Sequence, residues 1–120
     1  MMNLNYFTPE EFQKCNPPCK ITDMNEDFLL LLDKIRAEYG KPITINCAYR
    51  SPEHDKKQGR SGNSAHTRGL AVDIKCISSS NRAKLLHTII NNGVNRIGIS
   101  PNFIHIDIDK SLPQDVIWTY

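Results

Sequence analysis

Apolar positions recur at helical spacing in two long segments and at strand spacing in four. Over residues 25–39, Phe28, Leu31, Leu32 and Ile35 fall on one face, Gly40 follows the run and Pro42 follows that, which predicts the main core helix. Thr8-Pro9-Glu10-Glu11 places a cap residue before proline, with glutamate three positions after the cap, so a short helix should begin there and run to about Cys15. Residues 43–47 alternate like a strand, and Ser51-Pro52 opens a second short helix reaching about Gln58. Residues 59–63 are expected to be loop. Residues 69–76 have strand composition, and Ser78 to Asn81 opens a helix carrying Leu85, Leu86, Ile89 and Ile90 that Gly93 closes. Two further strands are predicted, over 96–99 and 103–109. The order of elements gives an α+β fold, a small and mostly antiparallel sheet backed by helices.

With 120 residues and 39% hydrophobic content, the chain has enough material for one core and too little for two ordinary domains. Fifteen Lys and Arg balance thirteen Asp and Glu, without a long run of one sign, so neither nucleic acid nor a membrane surface is an expected partner. The start of the chain lacks a basic region leading into an apolar core, and no apolar run approaches about 20 residues. Synthesis in a cytoplasm without a signal peptide is the expectation, and the protein is expected to be a monomer. Of the four cysteines, Cys15 and Cys19 form a C-x3-C compatible with a zinc turn, whereas Cys47 and Cys76 each end an apolar run where a reduced thiol behaves as a small hydrophobe. Reduced thiols are the favoured expectation over structural disulfides.

The last strand carries the chemistry. Ile104, Ile106 and Ile108 alternate with Phe103, His105, Asp107 and Asp109, so the polar face consists of ligands and acceptors with no Lys, Thr or Ser. In the strand over 69–76, Asp73 shares a face with Ala71 while Leu70, Val72 and Ile74 share the other. If the two polar faces meet, Asp73 and His105 converge and His66, just before the strand, can join them. Two imidazoles and a carboxylate form the donor set of a catalytic zinc site, although each residue alone is more simply a satisfied structural group. Gly69 and Ala71 would keep the strand slim beside the cation.

The segment INCAYRSPEHDKKQGRSGNSAHTRGLAVDI, followed by IGISPNFIHIDI, resembles the zinc D-alanyl-D-alanine carboxypeptidase family, peptidase family M15. The likeness is to its short single-domain members, related to phage endolysins and to the hedgehog-type fold. Ser64, His66, Gly69, Ala71 and Asp73 match the first family motif, S-x-H-x-x-G-x-A-x-D, and Phe103, His105 and Asp107 match the second, F-x-H-x-D. The resemblance spans about residues 6–109 of a single domain, with 110–120 as a short tail. It implies that His66, Asp73 and His105 hold one Zn2+ with an open position for water, that Arg50 binds a substrate carboxylate, and that Ser64 hydrogen-bonds the substrate backbone.

The implied reaction is hydrolysis of bonds involving D-amino acids in peptidoglycan stem peptides, by a carboxypeptidase or an endopeptidase. The implied setting is the cell wall, reached as a phage or prophage product or from a virion. Many relatives place a glutamate shortly before the last zinc histidine, where this chain has Asn102 and no glutamate follows Glu53. Asp107 is then the candidate general base, or alternatively the acceptor that orients His105. Arg50 has a plainer role open to it as a surface ion pair with Glu53 or Asp55, and Ser64 as the cap of its own turn. Asp109 reads as a solvated strand end, and His54 and His87 as exposed or half-buried side chains on predicted helices. The competing functions are a zinc-binding module that lacks the base, and a metal-free structural protein. The tail, with Pro113, Ile117 and Trp118, either packs on the domain or lines one edge of the cleft.

Overall fold

The computed structural model describes residues 4–12, 21–57, 59 and 64–120, His54 through its backbone alone. Among these residues three α-helices, α1 (Glu26–Tyr39), α2 (Pro52–Lys57) and α3 (Ser79–Asn91), accompany a sheet of β1 (Ile45–Cys47), β2 (Ala71–Lys75), β3 (Arg96–Ile99), β4 (Phe103–Asp107) and β5 (Val116–Thr119). Strand order is β1-β2-β4-β3-β5, antiparallel throughout except for the parallel pair β3 and β5. The fold is α+β, as the periodicity predicts.

Local chemistry explains the element ends. The Asn25 side chain accepts from the Phe28 N–H at 3.0 Å and starts α1, and Ser78 caps α3 by accepting from Asn81 N–H. Glu11 reaches back to the Thr8 N–H at 2.7 Å, closing the expected capping box. The helix it opens is a single 3-10 turn, Pro9–Phe12, and Cys15 and Cys19 lie outside the described residues.

Phe28, Leu32 and Ile35 of α1 and Leu85 and Ile89 of α3 pack on Val72, Ile74, Ile97, Ile104 and Ile106, all 0–1% exposed. At about 1.5–3 kcal/mol per fully buried large apolar side chain, this face of the sheet is the main source of stability.

Three strands are shorter than their patterns suggest, the one predicted over 69–76 spanning Ala71–Lys75. The strand predicted over 43–47 begins at Ile45, although the Thr44 carbonyl still accepts from Lys75 N–H. The strand predicted over 103–109 stops at Asp107, because the Asp109 carboxylate accepts from the Ser111 N–H and hydroxyl and turns the chain. Asp109 is 2% exposed and paired with Arg68, so the expectation of a solvated strand end fails. The tail then returns as β5 along the free edge of β3.

Candidate active site

The sheet face opposite the helices is where the polar residues gather. Register places Cys47, Asp73, His105, Gly98 and Trp118 in one row that crosses all five strands. β1 joins the row through an irregularity between Ile45 and Cys47, which lets Ile45 face Ile74 in the core while Cys47 sits opposite Asp73. His66 comes from the 3-10 turn Ala65–Arg68, which ends at Gly69 in a left-handed conformation. A Cβ at Gly69 would run into the Asp23 carbonyl. Its role is therefore to let the turn press against the segment before α1, not to keep β2 slim, and Asn25 N–H bonds the Gly69 carbonyl at 2.9 Å.

His66, Asp73 and His105 converge as their spacing predicts. His66 Nδ1 lies 2.7 Å from the Ala48 carbonyl, which can only accept, so Nδ1 carries the hydrogen and Nε2 presents a lone pair in the neutral ring. That Nε2 faces Asp73 Oδ1 at 3.5 Å, and His105 Nδ1 meets the same oxygen at 2.9 Å. The two imidazoles stand edge to face, 5.1 Å apart. Both imidazoles thus meet one oxygen of Asp73, with His66 2% and His105 7% exposed, and two imidazoles with a carboxylate are a donor set whose chemistry suits a divalent cation.

Burial pushes the Asp73 carboxyl up, but the hydrogen bond from His105 and, when its ring carries the second proton, the bond and charge of His66 outweigh it and hold the group well below the ordinary carboxylate range. Burial likewise pulls His105 down, and its bonds to Asp107 and Asp73 more than reverse this.

Among the described residues, the group whose ligand atoms all lie within 4.8 Å of one another is Cys47, His66 and Asp73. Cys47 is disulfide-bonded, so its sulfur offers no thiolate. The expectation of a reduced Cys47 is thereby corrected: the compartment argument behind it carries no information about which sulfurs meet in space. Cys76 is free and buried, as expected.

Asp107 is 1% exposed and fully engaged. Its Oδ2 meets His105 Nε2 at 2.7 Å, and its Oδ1 accepts from Arg96 Nε at 2.6 Å and from the Asp109 N–H at 3.2 Å. Burial raises its pKa, and the bonds from His105 and Arg96 bring it below the usual value. Arg50, 7% exposed, pairs through Nε with the fully buried Asp55 at 3.3 Å, and Ser64 Oγ donates to the same carboxylate at 2.7 Å. The ion pair considered for Arg50 exists, but inside the wall of the cleft and not on the surface. Arg50, Ser64, His66, Asp73, Arg96, His105, Asp107, Leu112, Trp118 and Tyr120 line one cleft. His87 is exposed on α3, away from it.

The family model described as Peptidase M15 matches residues 5–107. The chain belongs to the peptidase M15 family. Membership makes it a hydrolase of metallopeptidase type, in agreement with the donor set around Asp73. A search of curated proteins returned no match. The M15 match ends at Asp107, before Leu112, Trp118 and Tyr120, so part of the cleft wall of this M15 peptidase lies beyond the matched segment. Among the described residues no helix is long and apolar enough to cross a membrane.

Sequence reasoning missed Arg96 and Gly98 as parts of the site. Arg96 gave one signal, a cation at the head of an otherwise apolar strand. Asp55 was weighed with Glu53 as a partner of Arg50, but as a surface ion pair and not as a buried part of the cleft wall.

Proposed function

We propose that this M15 peptidase is a zinc enzyme that hydrolyses peptide bonds involving D-amino acids in peptidoglycan stem peptides. The observation that carries the reading is the convergence of His66, Asp73 and His105 in a cleft whose wall holds a buried, anchored Arg50. His66 Nε2, Asp73 Oδ1 and His105 Nδ1 are the atoms that would hold zinc. When bound, zinc supplies a Lewis acid that polarises the scissile carbonyl and lowers the pKa of water at its open position.

The remaining work falls to the chain. Asp55 fixes the Arg50 guanidinium, whose planar fork of donors suits a terminal carboxylate. Ser64 donates its hydroxyl hydrogen to Asp55, which leaves its oxygen to accept from a substrate N–H. Ala48 and Asp107 each hold the outward nitrogen of a histidine and so fix which nitrogen faces the cleft.

Of the two roles weighed for Asp107, orienting His105 is the one we favour, since both its oxygens are already used and it is almost fully buried. This leaves the general base without an assigned carboxylate, which is what favours the second reading, a zinc-binding module without hydrolysis. One experiment separates them. Zinc-loaded protein is incubated with stem pentapeptides ending in D-alanyl-D-alanine, and wild type, Asp107→Asn and His66→Ala are compared for zinc content and product. Release of product by wild type, with zinc and activity both lost in His66→Ala, supports the peptidase. Bound zinc with no product supports the module. If Asp107→Asn weakens zinc binding by about 10–100-fold and recovers at saturating zinc, Asp107 positions His105. If it binds zinc normally and stays inactive, Asp107 is the base.

A further inference from the structure

The tail beyond the M15 match is built into the site. Trp118 is the register partner of Gly98, itself the partner of His105, so the chain's one tryptophan continues the row that holds Asp73 and His105. A Cβ at Gly98 would stand 2.5 Å from Trp118 Nε1, and this bare stretch of β3 lets the indole lie across the strand to within 5.4 Å of the His105 ring. Arg96 locks it there. Its guanidinium sits 5.1 Å from the indole centroid, bonds the Pro113 carbonyl at 2.5 Å and bonds Asp107, which holds His105. His105, Asp107, Arg96 and Trp118 therefore close a ring of contacts. Tyr120, 52% exposed, extends the aromatic wall beside Phe103, 5.2 Å between ring centroids.

The two ends of the cleft differ in chemistry. At the β1 end stand Arg50, Asp55 and Ser64, polar and charged; at the β5 end stand Trp118 and Tyr120, with Leu112 on the same wall. A peptide whose terminal carboxylate rests on Arg50 must cross the row of His66, Asp73 and His105 before reaching the aromatic end. We infer that Trp118 and Tyr120 form a shelf for the residues on the acyl side of the scissile bond, making this tail the part of the chain that selects extended stem peptides over short ones. This rests on the proposed peptide substrate and adds the specificity element to it. An indole that is half-buried yet borders the cleft suits the role, since aromatic planes give large contact area at low cost in side-chain entropy.

Because Trp118 is the only tryptophan, its emission reports binding without turnover. Wild-type protein is titrated with a stem pentapeptide and with the dipeptide D-alanyl-D-alanine. The pentapeptide should change the emission and bind at least about tenfold more tightly than the dipeptide. Calorimetry on Tyr120→Ala and Trp118→Phe should then show that preference shrinking, severalfold or more, with Ile117→Ser on the exposed side of β5 as a control that keeps it. Trp118→Phe retains an aromatic plane and guards against loss of the fold. Equal weakening of both ligands in the variants, or an unchanged preference, overturns the shelf. Emission change and preference without hydrolysis would sustain it while refuting the peptidase reading. Hydrolysis with no change in emission and no loss of preference would do the reverse.

Discussion

The two faces of the central sheet are built from the same strands and by opposite rules. On the helix side, Val72, Ile74, Ile97, Ile104 and Ile106 are interchangeable in kind and depend on close packing against α1 and α3. On the cleft side each position is individual: Asp73, His105, Asp107, Arg96, Gly98 and Trp118 each meet specified partners at hydrogen-bond or ring-contact distance. A one-residue step along β4, from His105 to Ile106, crosses from one regime to the other. Stability therefore comes mainly from one face and chemistry from the other, and substitutions at adjacent residues should separate them.

The largest effects test that separation directly. His105→Ala should abolish zinc binding and reduce hydrolysis by on the order of 1,000-fold or more, since several kcal/mol of transition-state stabilisation go with the metal. Its thermal stability without metal should change far less than that of Ile106→Ala. The latter removes a fully buried side chain and should cost about 2–5 kcal/mol in denaturant unfolding, while binding zinc one to one below its melting temperature. If Ile106→Ala lost zinc while still folded, the two faces would not be independent.

Asp55 sharpens the comparison, because it is a charge with no exposure in a wall that otherwise serves binding. Asp55→Ala leaves Arg50 buried without its carboxylate and should destabilise the fold by about 3–5 kcal/mol, a core-sized effect from the cleft side. Asp55→Asn keeps the acceptor for Ser64 and should recover part of that stability while weakening the pentapeptide more than zinc. A calorimetric titration in which zinc and peptide weakened together would count against this division of labour.

The legibility of the sequence follows the same line. The helix face was readable because it rests on local periodicity: Phe28 to Ile35 and Leu85 to Ile90 state their spacing within one element. Half of the cleft face was readable too, because His105-x-Asp107 and Asp73 stand at alternating positions and only one pairing brings them together. Arg96 under Asp107 and the use of Gly98 were hidden, since each depends on which strands become neighbours, whereas the Arg50–Asp55 pair was open from the sequence and only its burial was not. β5 was hardest of all: its partner β3 precedes it by 20 positions and the pairing is parallel, so no hairpin turn announces it.

Gly98→Ala probes that hidden contact. A methyl group 2.5 Å from Trp118 Nε1 forces the indole off His105, and the overpacking should cost about 1–3 kcal/mol. Emission from Trp118 should shift in the free protein, because its polar neighbours Arg96 and His105 recede. Unchanged emission would mean that the ring does not lie over β3 in solution.

The smallest effect concerns the loop that ties the cleft together from outside the row. Asp109 accepts from Ser111 N–H at 3.0 Å and from the Ser111 hydroxyl at 2.6 Å, and pairs with Arg68 two residues after His66. Burial raises its pKa, but the Ser111 bonds and the Arg68 charge outweigh this and leave it below the ordinary value. Asp107 accepts the Asp109 N–H and is itself held by Arg96 and His105. A carboxyl with a lowered folded-state pKa adds stability that is present above its unfolded value, about 3.9, and is lost as pH falls through the folded value. Asp109→Asn should accordingly be less stable than wild type by about 1–3 kcal/mol at pH 7. The gap should close on acidification below about pH 4, because wild type alone loses the carboxylate contribution. Urea unfolding of both proteins at pH 7 and pH 3 measures the gap, and a difference equally large at both would show that Asp109 acts by shape and hydrogen bonding and not by its charge.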